Sequence, residues 1–194
     1  ADEVLTEVWR DEPFYRESGG GATFSGGEPL LQLDFLEALL CGCRERGVHA
    51  ALDTCGYAPW EAFERVRGLV DLFLYDLKSL DGDRHRAFTG VGNEPILANL
   101  RELVRRGHAV VLRVPVVPGL NDDDGSLEAL AALAAGLPGL RGVDLLPYHR
   151  LGAEKYARLG RDYRLADVAP PAPARVMAMA AVLRGRGLTV TTGG

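Results

Sequence analysis

ATFSGGEPLLQLDFLEALLCGCRERGVHAALDT, residues 22–54, carries two β-type runs separated by a glycine pair, an acid, a proline and an amphipathic stretch. Gly26 and Gly27 are permissive enough for a tight strand exit and bare enough for a ligand to come close. Pro29 suits the first turn of a helix. A helix over about 31–46 then places Leu36, Leu39, Leu40 and Cys43 on one face, with Glu37, Arg44 and Glu45 largely elsewhere, as an outer-layer helix on a sheet requires. Gly47 is a natural stop for it.

The same alternation continues along the chain. A helix near 59–67 leads into DLFLYDLK (71–78), and a helix over 94–106 into AVVLRVPVVPG (109–119). A helix over 124–135 leads into GVDLLPYH (142–149), and a last helix over 173–186 into LTVTT (188–192), after a stiff Pro/Ala-rich APPAPA at 169–174. Alternating β and α elements predict an α/β fold with a parallel sheet, doubly wound or wrapped as a barrel, whose strands are buried on both sides. No internal linker interrupts residues 1–194, which read as a single domain. Upstream of the opening stretch, residues 1–17 have helical periodicity in Val4, Leu5, Val8 and Trp9 with a breaker at Pro13, and SGGG at 18–21 punctuates it.

With 194 residues, 47% of them hydrophobic, the chain can bury a sizeable core. A net charge of -5, with basic residues in short patches such as Arg105-Arg106, argues against nucleic acid as a partner. No apolar run approaches the roughly 20 residues that span a bilayer, and the charged start is not a signal peptide, so a cytoplasmic location away from the membrane is expected. Three cysteines, Cys41, Cys43 and Cys55, suit reduced thiols, and their spacings do not read as zinc or cluster ligation. Cys43 shares the apolar helix face and reads as core, Cys41 faces elsewhere, and Met177 and Met179 read as ordinary packing.

In parallel α/β folds the chemistry sits at the carboxyl ends of strands. The β-type runs close in Ser25-Gly26-Gly27-Glu28, in Asp53-Thr54-Cys55-Gly56, in Asp76-Leu77-Lys78, in Arg113 ahead of Pro115, and in Tyr148-His149. Asp76 and Lys78, two apart on an extended segment, face the same way. Each has an ordinary structural reading too: Asp53 as a cap or Asx-turn, Asp76/Lys78 as a solvated ion pair, Arg113 as a partner for a helix acid, His149 as a surface histidine. Five clusters at one rim instead describe a site for a small zwitterion bearing a sugar: carboxylates for a cation, Lys78 and Arg113 for a carboxylate or phosphate, and a histidine for hydroxyls. A phosphate nest at Gly26-Gly27 is the competing site chemistry, with Glu28 against it by repulsion.

The order of FYRESGGGATFSGGEPLLQ, LDTCGYAPWEAFE, VDLFLYDLKSLDGDRHRAFTGVGNEPILANL, LRVPVVPGLND and DLLPYHRLGAEKYARLGRDY resembles the radical S-adenosylmethionine enzymes that activate glycyl-radical enzymes, typified by pyruvate formate-lyase activating enzyme. The resemblance implies a partial (β/α)6 barrel. It implies that Gly26, Gly27 and Glu28 receive the methionyl ammonium of S-adenosylmethionine, with Asp76 and Lys78 near the amino-acid end, His149 at the ribose and Arg113 lining the same cavity. Asp53, Thr54 and Asp76 match positions that hold a monovalent cation in some members.

The implied chemistry is one-electron reductive cleavage of the sulfonium to a 5′-deoxyadenosyl radical, which takes a hydrogen atom from a glycine of a partner enzyme. An external donor such as flavodoxin or ferredoxin would supply the electron. The family holds its 4Fe-4S cluster on a CxxxCxxC loop after the first strand, and this sequence has none. Because the chain opens on a helix, the first strand and the cluster loop are expected upstream of Ala1. The chain then reads as an N-terminally truncated activase with a cofactor-binding shell, no catalytic residue of its own and no activity alone. SGGG and GYAPWEAFE are also similar to activases carrying an extra ferredoxin-like cluster insertion. The competing reading is a non-catalytic barrel domain that binds a nucleotide or a protein partner.

Overall fold

The opening stretch folds as strand β1 (Gly21–Phe24), a 3-10 turn (Pro29–Gln32), a helix (Leu33–Glu45) and strand β2 (His49–Thr54) in a computed structural model of the chain. The structure describes residues 1–150, 158, 160, 162, 163 and 165–193, so part of the last quoted family stretch, LGAEKYA at 151–157, lies outside the described residues. Two helices precede β1: α1 (Asp2–Arg10) and α2 (Glu12–Ser18). The helix of the opening stretch is α3. After β2 come α4 (Trp60–Val66), β3 (Leu72–Asp76), α5 (Gly82–Thr89), α6 (Glu94–Arg105) and β4 (Val110–Val116). Then follow α7 (Asp124–Ala135), β5 (Leu140–Pro147), α8 (Pro173–Gly185) and β6 (Val190–Thr192).

The six strands form one sheet in the order β1-β2-β3-β4-β5-β6. Pairing is parallel from β1 to β2 to β3, with Phe24 opposite Leu52 and Leu52 opposite Phe73, and parallel again from β5 to β6, with Val143 opposite Val190. A strictly sequential order is the topology of a partial (β/α) barrel, whereas a doubly wound sheet reverses at a switch point. The α/β fold class and the partial barrel of six strands are therefore as expected.

By its contacts the chain groups into two units. The first holds Ala1–Asp76, Asn93–Leu112 and Leu137–Arg141. In it α3 buries Leu36, Leu39, Leu40 and Cys43 and exposes Cys41, as its periodicity required. Gly42 lies where Leu5, the buried residue of α1, docks: a Cβ on Gly42 would fall 2.4 Å from Leu5 Cδ1. The Arg46 guanidinium lies 3.5 Å from the centroid of the Trp9 ring and covers it. Phe63 of α4 packs tilted on Phe73 of β3 at 6.3 Å, both rings fully buried. Burying such a side chain contributes roughly 1.5–3 kcal/mol.

The second unit holds Leu77–Gly92, Arg113–Gly136 and Gly142–Gly194. Its helices α5 and α7 begin at Asp81 and Asp123, whose carboxylates accept backbone N–H groups of the first turn, as good N-caps do. Asn121 ties two loops together, accepting from the Val117 N–H and donating to the carbonyls of Lys78 and Pro115.

Four readings of the sequence are corrected. Pro13 does not break one long helix; it sits in the first turn of α2, where its missing N–H costs nothing, and the break falls at Asp11. Helix α5 was not anticipated, although Asp81 before it and left-handed Gly90 after it are its start and stop signals. Met179 is buried but Met177 is 54% exposed, because residues two apart on a helix face different ways. The strands are not all buried on both faces: β2 is, with Ala50, Ala51 and Leu52 buried in succession, but β3 and β4 are not. In β3 and β4 buried residues alternate with half-buried ones, so one face is fully covered and the other only partly. Asp53, Asp76 and Arg113 all occupy half-buried positions.

Candidate functional site

Beyond Phe24 the chain leaves β1 through exposed Ser25, Gly26 and Gly27 and turns back at half-buried Glu28. Gly26 has φ +133, a conformation that L side chains rarely adopt. A Cβ on Gly26 or Gly27 would meet nothing within 4 Å, so the space over both residues is open.

Glu28 is held from three directions. Its Oε1 accepts from the Thr54 hydroxyl at 2.7 Å and from the Leu30 N–H at 3.3 Å, which caps the 3-10 turn. Its Oε2 accepts from the Cys55 N–H at 2.9 Å. A carboxylate oxygen accepts about two hydrogen bonds, so Oε2 keeps capacity for one more donor. Three neutral donors fix the group without cancelling its charge. A fixed carboxylate beside open backbone is a receptor for a cation such as an ammonium. The same contacts weigh against a phosphate nest, because the local N–H groups of Leu30 and Cys55 are directed at Glu28.

Behind this carboxylate the loop after β2 is pinned. The Gly56 N–H donates to Thr54 Oγ1 at 3.0 Å, and Thr54 is buried. Asn99 of α6 donates from Nδ2 to the carbonyls of Gly56 and Ala58, each at 2.9 Å. Gly56 is left-handed, with φ +73, and its Cα lies against the Tyr75 phenol, whose hydroxyl donates to the Ile96 carbonyl at 2.7 Å. Burial pushes the Tyr75 pKa well above its ordinary value, and Cys55 and Glu28 nearby add to the effect. Tyr75 therefore stays protonated and acts as a donor.

The structure brings together Gly26, Gly27, Glu28 and Thr54, and places Asp53 beside them through the Ser25 hydroxyl, which donates to Asp53 Oδ2 at 2.9 Å. For the cation expected at Asp53, Thr54 and Asp76, the Thr54 hydroxyl is already engaged by Glu28 and Gly56. Strand β3 runs through Asp76, and the Leu77 N–H still donates to the Arg113 carbonyl at 2.9 Å, with buried Leu77 between half-buried Asp76 and exposed Lys78. In the second unit Lys78 is exposed and lines a cavity of about 420 Å³ with Asp81, Arg84, Asn121 and Ser126. Arg113 is half-buried on β4, and His149 is exposed just after β5. Sequence reasoning missed Tyr75 and Asn99. Asn99 was open to detection as a polar residue within the apolar stripe Ile96, Leu100, Leu103 of α6.

Residues 2–130 match the radical SAM superfamily, and the chain belongs to it. Within that superfamily it is closely related to the glycyl-radical-enzyme activating enzymes. It is 47% identical over 169 residues to isethionate sulfite-lyase activating enzyme of Oleidesulfovibrio alaskensis, covering 86% of this chain and 54% of that protein. It is 41% identical over 197 residues to benzylsuccinate synthase activating enzyme of Thauera aromatica, covering 100% of this chain and 60% of that one. The chain thus spans little more than half the length of these relatives. Among solved structures, a domain of pyruvate-formate lyase-activating enzyme from Bacteroides vulgatus superposes with a TM-score of 0.77 at 34% identity, covering 90% of this chain and 99% of that one.

The fold family implies S-adenosylmethionine and a 4Fe-4S cluster. The residues present fit the amino-acid end of the first: a fixed carboxylate with spare acceptor capacity directly after two glycines whose added Cβ atoms would meet nothing within 4 Å. They do not fit the second. Cys41 and Cys43 point to different sides of α3, Cys55 follows β2, and among the described residues no three Cys, His, Asp or Glu side chains come together to hold a metal.

Proposed function

We propose that this chain is the S-adenosylmethionine-binding part of an activase that generates a glycyl radical on a partner enzyme. Glu28 carries the reading: a carboxylate anchored by Thr54, Cys55 and Leu30 at a strand end, next to Gly26 and Gly27, where the space beside the backbone is open. S-adenosylmethionine, when bound, would supply a sulfonium that one electron from an external donor such as flavodoxin or ferredoxin would cleave to methionine and a 5′-deoxyadenosyl radical able to take a hydrogen atom from the partner's glycine. No residue of this chain is assigned to that electron transfer. The chain's own residues bind and orient: Glu28, with the backbone of Gly26 and Gly27, receives the ammonium. By family resemblance Asp76 and Lys78 are assigned to the amino-acid end, Arg113 to the cofactor's cavity and His149 to the ribose, with Asp53, Thr54 and Asp76 as the positions for a monovalent cation.

Isothermal titration of this chain with S-adenosylmethionine tests the reading. Replacing Glu28 by Gln removes the charge and keeps the shape, and the affinity should fall at least tenfold, as loss of a charge-assisted hydrogen bond implies. Unchanged affinity in Glu28→Gln overturns the assignment of this site.

A further inference from the structure

We propose that helix α6 sets the orientation of Glu28, with Asn99 as the positioning residue; this rests on the reading that Glu28 receives the cofactor's ammonium. None of the α6 side chains needs to touch the ligand. The link is a chain of hydrogen bonds through the segment 54–58, which grips Glu28 on one side and is gripped by α6 on the other.

On the Glu28 side the segment offers the Thr54 hydroxyl at 2.7 Å and the Cys55 N–H at 2.9 Å, one to each carboxylate oxygen. On the α6 side both N–H bonds of the Asn99 amide are used, one on the Gly56 carbonyl and one on the Ala58 carbonyl. Asn99 is only 5% exposed and sits between the buried Ile96 and Leu100, so its side chain is fixed by packing. The Tyr75 hydroxyl adds a second tie, donating to the carbonyl of Ile96 while its ring backs the left-handed Gly56.

The geometry makes the tilt of the 55–56 peptide depend on both ties. That peptide presents its N–H, from Gly56, to Thr54 Oγ1, and the preceding N–H, from Cys55, to Glu28. Rotation of the segment would move both of the Glu28 anchors together. A carboxylate held from two sides stays aimed without reorganising when the cation arrives, and such pre-organisation improves affinity. Without Asn99 the carbonyls of Gly56 and Ala58 lose a shared partner and the segment gains freedom where Glu28 needs it least.

Two probes separate positioning from general damage. S-adenosylmethionine carries the ammonium, and 5′-methylthioadenosine has the adenosine and sulfur without the amino-acid end. Titrating this chain with each, Asn99→Ala should weaken S-adenosylmethionine about tenfold and leave 5′-methylthioadenosine within about twofold. Tyr75→Phe keeps the ring volume and removes only the hydroxyl tie, so it should give the same selective loss at about threefold, and it decides the matter if Asn99→Ala does not fold. Equal losses for both probes overturn the proposal in favour of a merely structural role. Unchanged S-adenosylmethionine affinity in both variants, with Glu28→Gln still defective, overturns the α6 assignment and leaves the Glu28 reading standing. A Glu28→Gln variant that binds as the wild type does removes both.

Discussion

Replacing Gly56 by Ala should destabilise the first unit severely, because two independent penalties fall on one atom. At φ +73 an L-residue costs about 1–2 kcal/mol relative to glycine. The new Cβ would lie 1.8 Å from Tyr75 Oη and 2.2 Å from Cζ. Tyr75 is fully buried and cannot swing away, so relief requires backbone movement of the kind that costs about 1–3 kcal/mol in overpacked cores. Any such shift also stretches the Tyr75–Ile96 and Asn99–Gly56 hydrogen bonds, each worth about 1 kcal/mol. The first two penalties sum to about 2–5 kcal/mol before any loss from the stretched bonds, a large share of the roughly 5–15 kcal/mol that keeps a domain folded. Both tryptophans, Trp9 and Trp60, belong to the unit that contains Gly56, so their fluorescence reports its urea unfolding. With a slope of about 2 kcal/mol per molar, the midpoint should fall by about 2 M. Gly68→Ala, at a residue with no positive φ and no atom within 4 Å of the added methyl, is the matched control and should not move it. A midpoint shift below about 0.5 M for Gly56→Ala would refute the claim that this glycine is required by the Tyr75 contact.

Gly27→Ala should behave in the opposite way. Its methyl meets no protein atom within 4 Å, so stability should stay within about 0.5 kcal/mol, while the methyl occupies the space assigned to the ligand and S-adenosylmethionine affinity should fall at least tenfold by titration. Wild-type affinity in that variant would contradict close approach over the glycine pair. In the second unit, the Ser126 N–H, then the Ser126 hydroxyl and Arg84, hold the Asp123 carboxyl well below the usual carboxylate range. A depressed pKa stabilises above the unfolded value and is lost as pH falls through the folded one. Asp123→Ala should therefore cost about 1 kcal/mol at neutral pH, and its gap from wild type should narrow progressively below about pH 4 in thermal melts. A gap unchanged between pH 7 and pH 3 would disprove it.

Part of the candidate site was legible: Gly26, Gly27 and Glu28 stood out because a strand end followed by paired glycines, an acid and a proline has few ordinary uses, and the structure puts the Thr54 hydroxyl on Glu28. Cys43 as core and Cys41 as surface followed from helical spacing alone. The face of Lys78 was read from strand alternation, and burial keeps to that alternation one residue past the end of β3, where the Leu77 N–H pairs with the Arg113 carbonyl.

The order of β and α elements followed from the sequence by itself, because hydrophobic period and turn chemistry are local properties, whereas the sequential strand order that separates a barrel from a doubly wound sheet did not. The tertiary structure decided what anchors the receptor. Asn99 lies 43 positions from Gly56, and Thr54 lies 26 from Glu28, so no spacing rule links them. The same is true of Gly56 itself: one glycine among 24, marked only by a Tyr75 ring that the fold places against its Cα. Local pattern specifies which groups can bind a cation, and long-range packing specifies how rigidly they are held.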